Sequence, residues 1–238
     1  MLSKAKVKFI TSLREKKHRL LHKLFIAEGP KVISDLINAK HPLHSLYITD
    51  KESHNLSSEI NDRVIGIDEK DLKKISNLKT PNVSLGIFQI KEVSAIKING
   101  PIIALESIRD PGNLGTIIRT CDWFGIKHIL CSKDSVDCYN QKVIQSTMGS
   151  ISRVEIHYVN LINQLKESQN PIFIADLTGN PIAETSFPTN PIIVFGNEAN
   201  GISDEMKSIA SKKITIPKKG GAESLNLSSS VAIVLSGL

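Results

Sequence analysis

The second half of this 238-residue chain contains four short segments that are almost entirely apolar. They read PIIALE (101–106), HILC (128–131), PIFIADL (171–177) and PIIVFG (191–196), and segments with helical patterns separate them. Strands that are apolar on both faces must be covered on both faces, which is typical of a parallel sheet between layers of helices. The sequence therefore predicts an α/β domain with a parallel sheet. Ligands of such sheets bind at the loops beyond the carboxyl ends of the strands.

The first part of the chain predicts a smaller alternating α/β unit. Apolar residues recur at helical spacing among Lys and Arg over residues 4–24, which indicates a basic amphipathic helix. Predicted strands and helices then alternate as LFIAE, PKVISDLINAK, LHSLYIT, RVIGI, EKDLKKISNL and VSLGIFQI. The charge balance changes within residues 94–101, where Asn-Gly-Pro also interrupts the pattern. We therefore predict domains of residues 1–97 and 98–238.

Charge is concentrated in the first of these domains. Residues 1–98 carry 18 basic and 11 acidic side chains, a net of +7, whereas residues 99–238 carry 12 and 13, a net of −1. The first 31 residues hold nine basic and two acidic side chains. Such a segment is typical of nucleic-acid binding, and a solvated helix face is the alternative that charge alone leaves open.

Several classes of protein are disfavoured by what the sequence lacks. Cys121, Cys131 and Cys138 are odd in number, and with only His128 nearby they form no recognisable zinc spacing. We expect buried free thiols and no metal site. No apolar run is long enough to span a bilayer, and the N-terminus lacks the apolar stretch of a signal peptide. A cytoplasmic protein with no membrane partner is expected.

The first polar loop follows PIIALE. A turn is predicted at residues 110–113 and a helix from Leu114 to Trp123. Asn113 is placed to cap this helix, and Arg119 lies about a turn and a half further on. Considered alone, Asn113 is explained as a cap and Arg119 as a surface charge.

The second polar loop, FGNEANGIS (195–203), follows PIIVFG. Gly196 and Gly201 predict a tight turn whose backbone approaches a ligand, with Asn197 in the loop and Glu198 at the sheet edge. An ordinary turn with a solvated glutamate explains these residues equally well.

The third polar loop follows a strand ending near Ile216. It passes through Lys-Lys-Gly-Gly to Ser224, Leu225 and Asn226, which open an apolar helix. Small polar groups at a helix start can bind an anion or a carboxylate. Capping of the helix by Ser224 or Asn226 is the ordinary explanation.

Taken together, the three loops resemble a known family. NLGTIIRTCDWFGI (113–126), FGNEANGI (195–202) and IPKKGGAESLNLSSSVAI (216–233) resemble the motifs of the SpoU, or TrmH-like, ribose methyltransferases of the SPOUT superfamily in content, order and spacing. This resemblance covers roughly residues 100–238. Residues 22–97 look like the substrate-binding domain, related to ribosomal protein L30, that often precedes the catalytic domain.

The resemblance implies a parallel α/β domain whose C-terminal segment forms a trefoil knot, an exception to the usual unknotted topology. It also implies that S-adenosylmethionine lies bent in the knot, held mainly by backbone groups of the second and third loops. The positions that match the family's cofactor contacts are Gly196, Asn197, Glu198, Gly201, Ile216 and Leu225.

The family further implies that Arg119 is the central catalytic residue. A guanidinium with a pKa above 12 is a poor proton acceptor. We therefore expect Arg119 to bind the adjacent phosphate through a forked contact, with removal of the 2′-hydroxyl proton as its second candidate role. Glu198 could hold Arg119 or a backbone group of the cofactor loop. The residues implied around Arg119 are Asn113, Glu198, Ser224 and Asn226.

The resulting functional hypothesis is methylation of a ribose 2′-hydroxyl in ribosomal RNA by a homodimer formed through the knotted domain. Transfer RNA is the alternative substrate. A noncatalytic RNA-binding or ribosome-assembly protein on the same fold is the alternative class. The presence of every implied catalytic side chain favours the enzyme, because a binding module needs no cofactor loop.

Overall fold

The computed structural model describes residues 1–49, 58–93 and 100–238. By its internal contacts the chain divides into two compact units. The first combines Met1–Glu92 with Asp137–Ser152, and the second combines Val93–Val136 with Arg153–Leu238. The predicted boundary between residues 97 and 98 lies outside the described residues.

The first unit is an α/β unit built on a four-stranded sheet. Its strands are β1 (Leu24–Glu28), β2 (Leu43–Ile48), β3 (Val64–Gly66) and β4 (Ser84–Gln89). Its helices are α1 (Lys4–Ser12), α2 (Lys16–His22), α3 (Pro30–Asn38), α4 (Glu69–Ile75) and, later in the chain, α6 (Gln141–Thr147), with 3₁₀ turns at Ser58–Arg63 and Ser150–Ser152. The order is β1-β4-β2-β3, with β4 antiparallel to both neighbours and β2 parallel to β3. The predicted alternation is confirmed.

The prediction of one basic helix over residues 4–24 is wrong in extent. Helix α1 ends at Ser12, whose hydroxyl donates to a carbonyl inside the helix at 2.7 Å, and Glu15 has extended backbone before α2 begins. Such local bonds compete with continuation of a helix. Leu20 and Leu21, two of the apolar residues in the predicted helix, are exposed, whereas Arg19 is buried.

The predicted continuous domain of residues 98–238 differs from the structure in one segment. Residues 137–152 belong to the first unit, where Asp137 forms an ion pair with the buried Arg19. The ring of Tyr139 lies 4.8 Å from that of Phe25 in β1. These contacts place residues 137–152 in the first unit, although they lie within residues 98–238 of the sequence.

The second unit is built on a six-stranded sheet. Its strands are β5 (Ile102–Leu105), β6 (His128–Ser132), β7 (Glu155–Val159), β8 (Ile172–Pro181), β9 (Ile192–Phe195) and β10 (Lys212–Thr215). Its helices are α5 (Pro111–Trp123), α7 (Leu161–Lys166), α8 (Asp204–Ile209) and α9 (Leu227–Leu235), with a 3₁₀ turn at Ile182–Glu184. The order is β10-β8-β9-β5-β6-β7, and every neighbouring pair is parallel. The predicted parallel sheet is confirmed.

The burial of the second unit explains its apolar sequence. All residues of β5 and of β9 are buried, as expected of strands covered on both faces. The three cysteines are buried free thiols, and burial raises the pKa of Cys121 and Cys131 well above the ordinary value. In the described parts of the chain, none of the helices combines the length and apolarity that a bilayer crossing requires.

The buried pair in the first unit gives a stability prediction. Asp137→Ala should lower the free energy of unfolding by about 3 kcal/mol, because the Arg19 side chain, only 3% exposed, loses its counter-ion. Lys166→Gln is the control, since it removes an exposed pair with Glu205 and should cost under about 1 kcal/mol. Denaturant unfolding of both variants measures their free energies of unfolding. Equal losses in the two variants would contradict this prediction.

Candidate functional site

Polar loops from three separate parts of the second unit meet at the carboxyl edge of its sheet. They follow β5, β9 and β10 and cover residues 106–113, 196–203 and 216–226. Strands β5 and β9 are neighbours, so the first two loops emerge side by side. The third loop leaves the outer strand β10 and leads into α9, which packs against α5. This packing returns the third loop to the first.

A relay of side-chain hydrogen bonds joins the three loops. Asn226 Nδ2 donates to Asn113 Oδ1 at 3.0 Å. Asn113 Nδ2 in turn donates to Glu198 Oε1 at 2.9 Å. The structure thus brings together three of the residues selected from the sequence, one from each motif.

The direction of this relay is set by the start of helix α9. Asn226 caps α9, and its Oδ1 accepts from the backbone N–H of Ser228 at 2.9 Å and of Ser229 at 3.4 Å. An oxygen is required at that position, so the amide nitrogen of Asn226 must point towards Asn113. Asn113 must then offer its oxygen to Asn226 and its nitrogen to Glu198. The start of α9, in the third loop, therefore orients the Glu198 carboxylate in the second loop.

One capping prediction is wrong, and another is confirmed for one of its two candidates. Asn113 does not cap α5, because the helix begins at Pro111 and the Asp110 carboxylate accepts from the Asn113 N–H at 2.7 Å. Proline suits the first helical position, since the missing N–H would be unpaired there anyway. The Asn113 side chain is therefore available for the relay. At α9 the cap is Asn226 rather than Ser224.

The second loop is a closed turn that requires its glycines. Asn197 and Gly201 exchange two backbone hydrogen bonds, each of 2.9 Å. A Cβ on Gly196 would clash with backbone atoms of Gly201, so any side chain there would force the turn open. Gly201 itself has a φ of +66°, a conformation that favours glycine. Asn197 fixes the turn from inside, donating from Nδ2 to the Ser107 carbonyl at 2.7 Å.

Sequence reasoning missed two groups that support these loops. Glu106, the residue after β5, accepts from the N–H of Ser203 at 2.9 Å and from its hydroxyl at 2.6 Å. Ser132, at the end of β6, accepts from the N–H of Ser107, which has a positive φ of 57°. For both residues the sequence signal was position alone. Glu106 ends the apolar run PIIALE, and Ser132 directly follows the run HILC.

The third loop holds the remaining predicted cofactor residues. Ile216 is half-buried, Ser224 is exposed, and Leu225 is 49% exposed although it is apolar. In the described parts of the chain, nothing forms a hydrogen bond with the backbone of residues 216–225. Ser224 lies in this loop and outside the relay. The loop therefore offers unpaired N–H and C=O groups beside an exposed apolar side chain.

Arg119 lies in α5, exposed to solvent, six residues after Asn113. Among the described residues, none forms a hydrogen bond or ion pair with its guanidinium. The expectation that Glu198 holds Arg119 differs from the structure, where Glu198 binds Asn113. The five guanidinium donors of Arg119 thus face solvent rather than a protein partner.

Comparison with known proteins shows the family to which the chain belongs. The profile of the SpoU rRNA methylase family matches residues 100–236, and the profile of the MRM3-like substrate binding domain matches residues 4–86. The chain belongs to the SpoU rRNA methylase family. It is accordingly an S-adenosylmethionine-dependent RNA methyltransferase.

Individual relatives extend the similarity over nearly the whole chain. The 23S rRNA (guanosine(2553)-2′-O)-methyltransferase RlmP of Bacillus subtilis is 24% identical over 97% of this chain and 94% of its own length. A TrmH-family protein from Porphyromonas gingivalis has a TM-score of 0.90 and 33% identity, covering 100% of this chain and 98% of its own. An AdoMet-bound rRNA methyltransferase from Sinorhizobium meliloti has a TM-score of 0.88 and 28% identity, covering 100% and 95%.

The relay predicts a specific effect of exchanging one amide for a carboxylate. Asn113→Asp replaces the nitrogen that donates to Glu198 with an oxygen, so two carboxylates would face each other at hydrogen-bond distance. We expect a loss of about 1 kcal/mol in the free energy of unfolding at neutral pH. The loss should shrink near about pH 4, where protonation restores a donor.

The matched control is Asn160→Asp. This exchange adds the same charge at the cap of α7, where Asp and Asn cap about equally well. Denaturant unfolding of both variants at the two pH values measures the effect. A pH-independent loss in Asn113→Asp, or the same loss in Asn160→Asp, would count against the relay.

Proposed function

We propose that the chain transfers the methyl group of S-adenosylmethionine to a ribose 2′-hydroxyl of ribosomal RNA, with catalysis in the second unit and RNA capture by the first. The observation that carries the proposal is the relay from Asn226 through Asn113 to Glu198. It gathers the three family motifs at the edge where ligands of parallel sheets bind. Ribosomal RNA is favoured over transfer RNA by the relative from Bacillus subtilis, whose name specifies 23S rRNA.

The loops after β9 and β10 fit the cofactor by the chemistry of their groups. An adenosyl group needs apolar contact for its ring and hydrogen-bonding groups at its edges. The third loop supplies unpaired backbone groups and the apolar side chains of Ile216 and Leu225. The turn of Gly196, Asn197 and Gly201, with Glu198 at its tip, would form the other wall. The bound cofactor supplies an electrophilic methyl group on a sulfonium centre.

The relay residues then position the reacting groups. With one Glu198 oxygen held by Asn113, the carboxylate has a fixed orientation and a second oxygen available to a backbone donor or a ribose hydroxyl. Asn113 and Asn226 therefore act through orientation, which counts because methyl transfer requires the nucleophile to be aligned with the methyl group. Ser224, exposed in the third loop, would contact the RNA or the cofactor.

Arg119 would bind the phosphate next to the target ribose. Its exposed guanidinium has no protein partner among the described residues, so it can form a forked contact without breaking an existing bond. A phosphate held there would fix the ribose relative to the cofactor. Proton removal by Arg119 is the second candidate role. It ranks below phosphate binding because it requires a neutral guanidinium.

The first unit provides a surface suited to unpaired RNA. A cavity of about 430 Å³ is lined by residues that include Phe9, His22 and His44. The rings of Phe9 and His22 lie 5.2 Å apart, and the Lys6 ammonium lies 5.7 Å from the centre of the Phe9 ring. Bases stack on such rings, and lysines neutralise the phosphates that connect them.

Three further features complete the proposal. The return of the third loop from β10 to α5 supports the implied knot in the C-terminal segment. Trp123, 85% exposed at the end of α5, supports a homodimer formed through the second unit. The proposed action on ribosomal RNA is consistent with a cytoplasmic enzyme.

Substitution of Arg119 tests the proposed chemistry. Arg119→Lys keeps the charge but loses the planar fork, so it cannot restore a bidentate phosphate contact. We expect Arg119→Lys and Arg119→Ala to bind S-adenosylmethionine normally and to transfer methyl groups on the order of a hundredfold more slowly. Single-turnover assays with saturating RNA separate slow chemistry from weak binding.

Lys133→Ala is a suitable control, since it removes a cation just after β6 that the proposal does not use. It should keep the wild-type rate. Near-normal rates in both Arg119 variants would move the catalytic role elsewhere. Failure of the wild-type protein to bind S-adenosylmethionine would contradict the proposed enzymatic function itself.

RNA capture by the basic leader, residues 1–31, can be tested without deleting that segment. Deletion would remove Ile10 and Leu13 from the core of the first unit, so charge exchange is preferable. Replacing the exposed Lys4, Lys8 and Lys23 with Gln should weaken RNA binding and reduce the slope of log affinity against log salt by about 2 to 3.

The matched control exchanges three exposed lysines elsewhere in the same unit, Lys70, Lys73 and Lys79. Its net charge changes equally, so any larger effect of the leader variant reports location rather than total charge. Filter-binding titrations over a range of salt measure both. Equal slopes in the two variants would make the leader only a solvated helix face.

A further inference from the structure

Three potential metal ligands meet at the amino-terminal ends of β6 and β7. The two strands are parallel, with His128 opposite Glu155 and Leu130 opposite His157. Glu155 and His157 are two residues apart, so their side chains lie on the same face of the sheet. His128 lies on this face too, because directly paired residues share a face. The pairing of two buried strands therefore fixes the positions of all three side chains.

The three ligand atoms form a nearly regular triangle. His128 Nδ1 lies 3.1 Å from His157 Nε2. Glu155 Oε2 lies 3.7 Å from the first nitrogen and 3.8 Å from the second. Both carboxylate distances exceed those of an ordinary hydrogen bond. The Glu155 oxygen thus faces both imidazoles at ion-pair distance.

We propose that His128, Glu155 and His157 form a binding site for a divalent transition-metal ion, with Zn²⁺ as the favoured ion. The point equidistant from the three ligand atoms lies about 2.1 Å from each, which equals the usual zinc distance to imidazole nitrogen and carboxylate oxygen. A cation can enter there once the proton that joins the two rings moves to the other nitrogen of its own imidazole.

The environment of the site suits this ion. The His157 ring is buried, with only 5% of its side chain exposed, so packing holds this imidazole in place. Imidazole nitrogen is a usual ligand of zinc. The Glu155 side chain is 44% exposed, which leaves an open side where water can supply the remaining ligand. Two imidazoles with one carboxylate favour transition metals over Mg²⁺ or Ca²⁺.

The site is distinct from the proposed active site. Because all strands of the sheet are parallel, the amino ends of β6 and β7 lie at the edge opposite the loops that carry Asn113 and Glu198. Strand β7 is the outermost strand of the sheet. A bound ion would join it to β6, so its effect should be on stability and not on the methyl-transfer step.

Metal binding by the full chain tests the proposal directly. After removal of metal with a chelator, wild-type protein should bind one Zn²⁺ in competition with an indicator of micromolar affinity, and its thermal midpoint should rise. Glu155→Gln and His128→Asn should each weaken binding at least about tenfold, since loss of an outer-sphere partner alone costs that much. Co²⁺ should give the absorption bands of a tetrahedral site in wild type and not in these two variants.

The control is His18→Asn, because His18 and His22 stack on α2 and form another plausible place for a metal. This variant should retain the affinity and the thermal shift. Circular dichroism confirms that each variant is folded. Absence of Zn²⁺ binding in the folded wild type, or equal binding in Glu155→Gln and His128→Asn, would overturn the proposal. Loss of binding in His18→Asn alone would overturn it by placing the metal on α2.

Discussion

The parallel direction of all six strands in the second unit is the constraint on which its other features depend. Parallel strands place every carboxyl end at one edge of the sheet and every amino end at the other. Residues 106–113 and 196–203, far apart in sequence, therefore emerge together after β5 and β9. The same rule brings His128 to Glu155 at the opposite edge. Both proposed sites follow from one hydrogen-bonding pattern.

Helix α9 gives the active edge its chemical orientation. The helix starts with unpaired N–H groups, as all helices do, and Asn226 satisfies two of them with its oxygen. The nitrogen of that amide is then committed to Asn113, and Asn113 to Glu198. A local requirement of helix capping thus decides how a carboxylate two loops away presents its second oxygen. Such preorganisation lowers the cost of aligning the reacting groups.

The first unit illustrates a different constraint, the treatment of a buried charge. Arg19 lies in a basic helix whose other cations are solvated, yet it is buried and paired with Asp137. A buried guanidinium requires a partner, and this partner comes from a segment 118 residues further along the chain. Residues 137–152 therefore belong to the first unit although they follow β6 of the second. Nothing in the local sequence of Arg19 distinguishes it from Lys16 or Lys17.

The sequence by itself determined the parallel sheet, the alternating first unit and the three polar loops with their family, because apolar periodicity and motif spacing are local properties. Only the tertiary structure decided that Asp110 caps α5 and frees Asn113, that Glu198 binds Asn113 and not Arg119, and that Asp137 joins the first unit. The triangle of His128, Glu155 and His157 is likewise invisible in the sequence. In each case the partners are set by strand pairing, helix packing or burial between distant segments, and no local pattern encodes those distances.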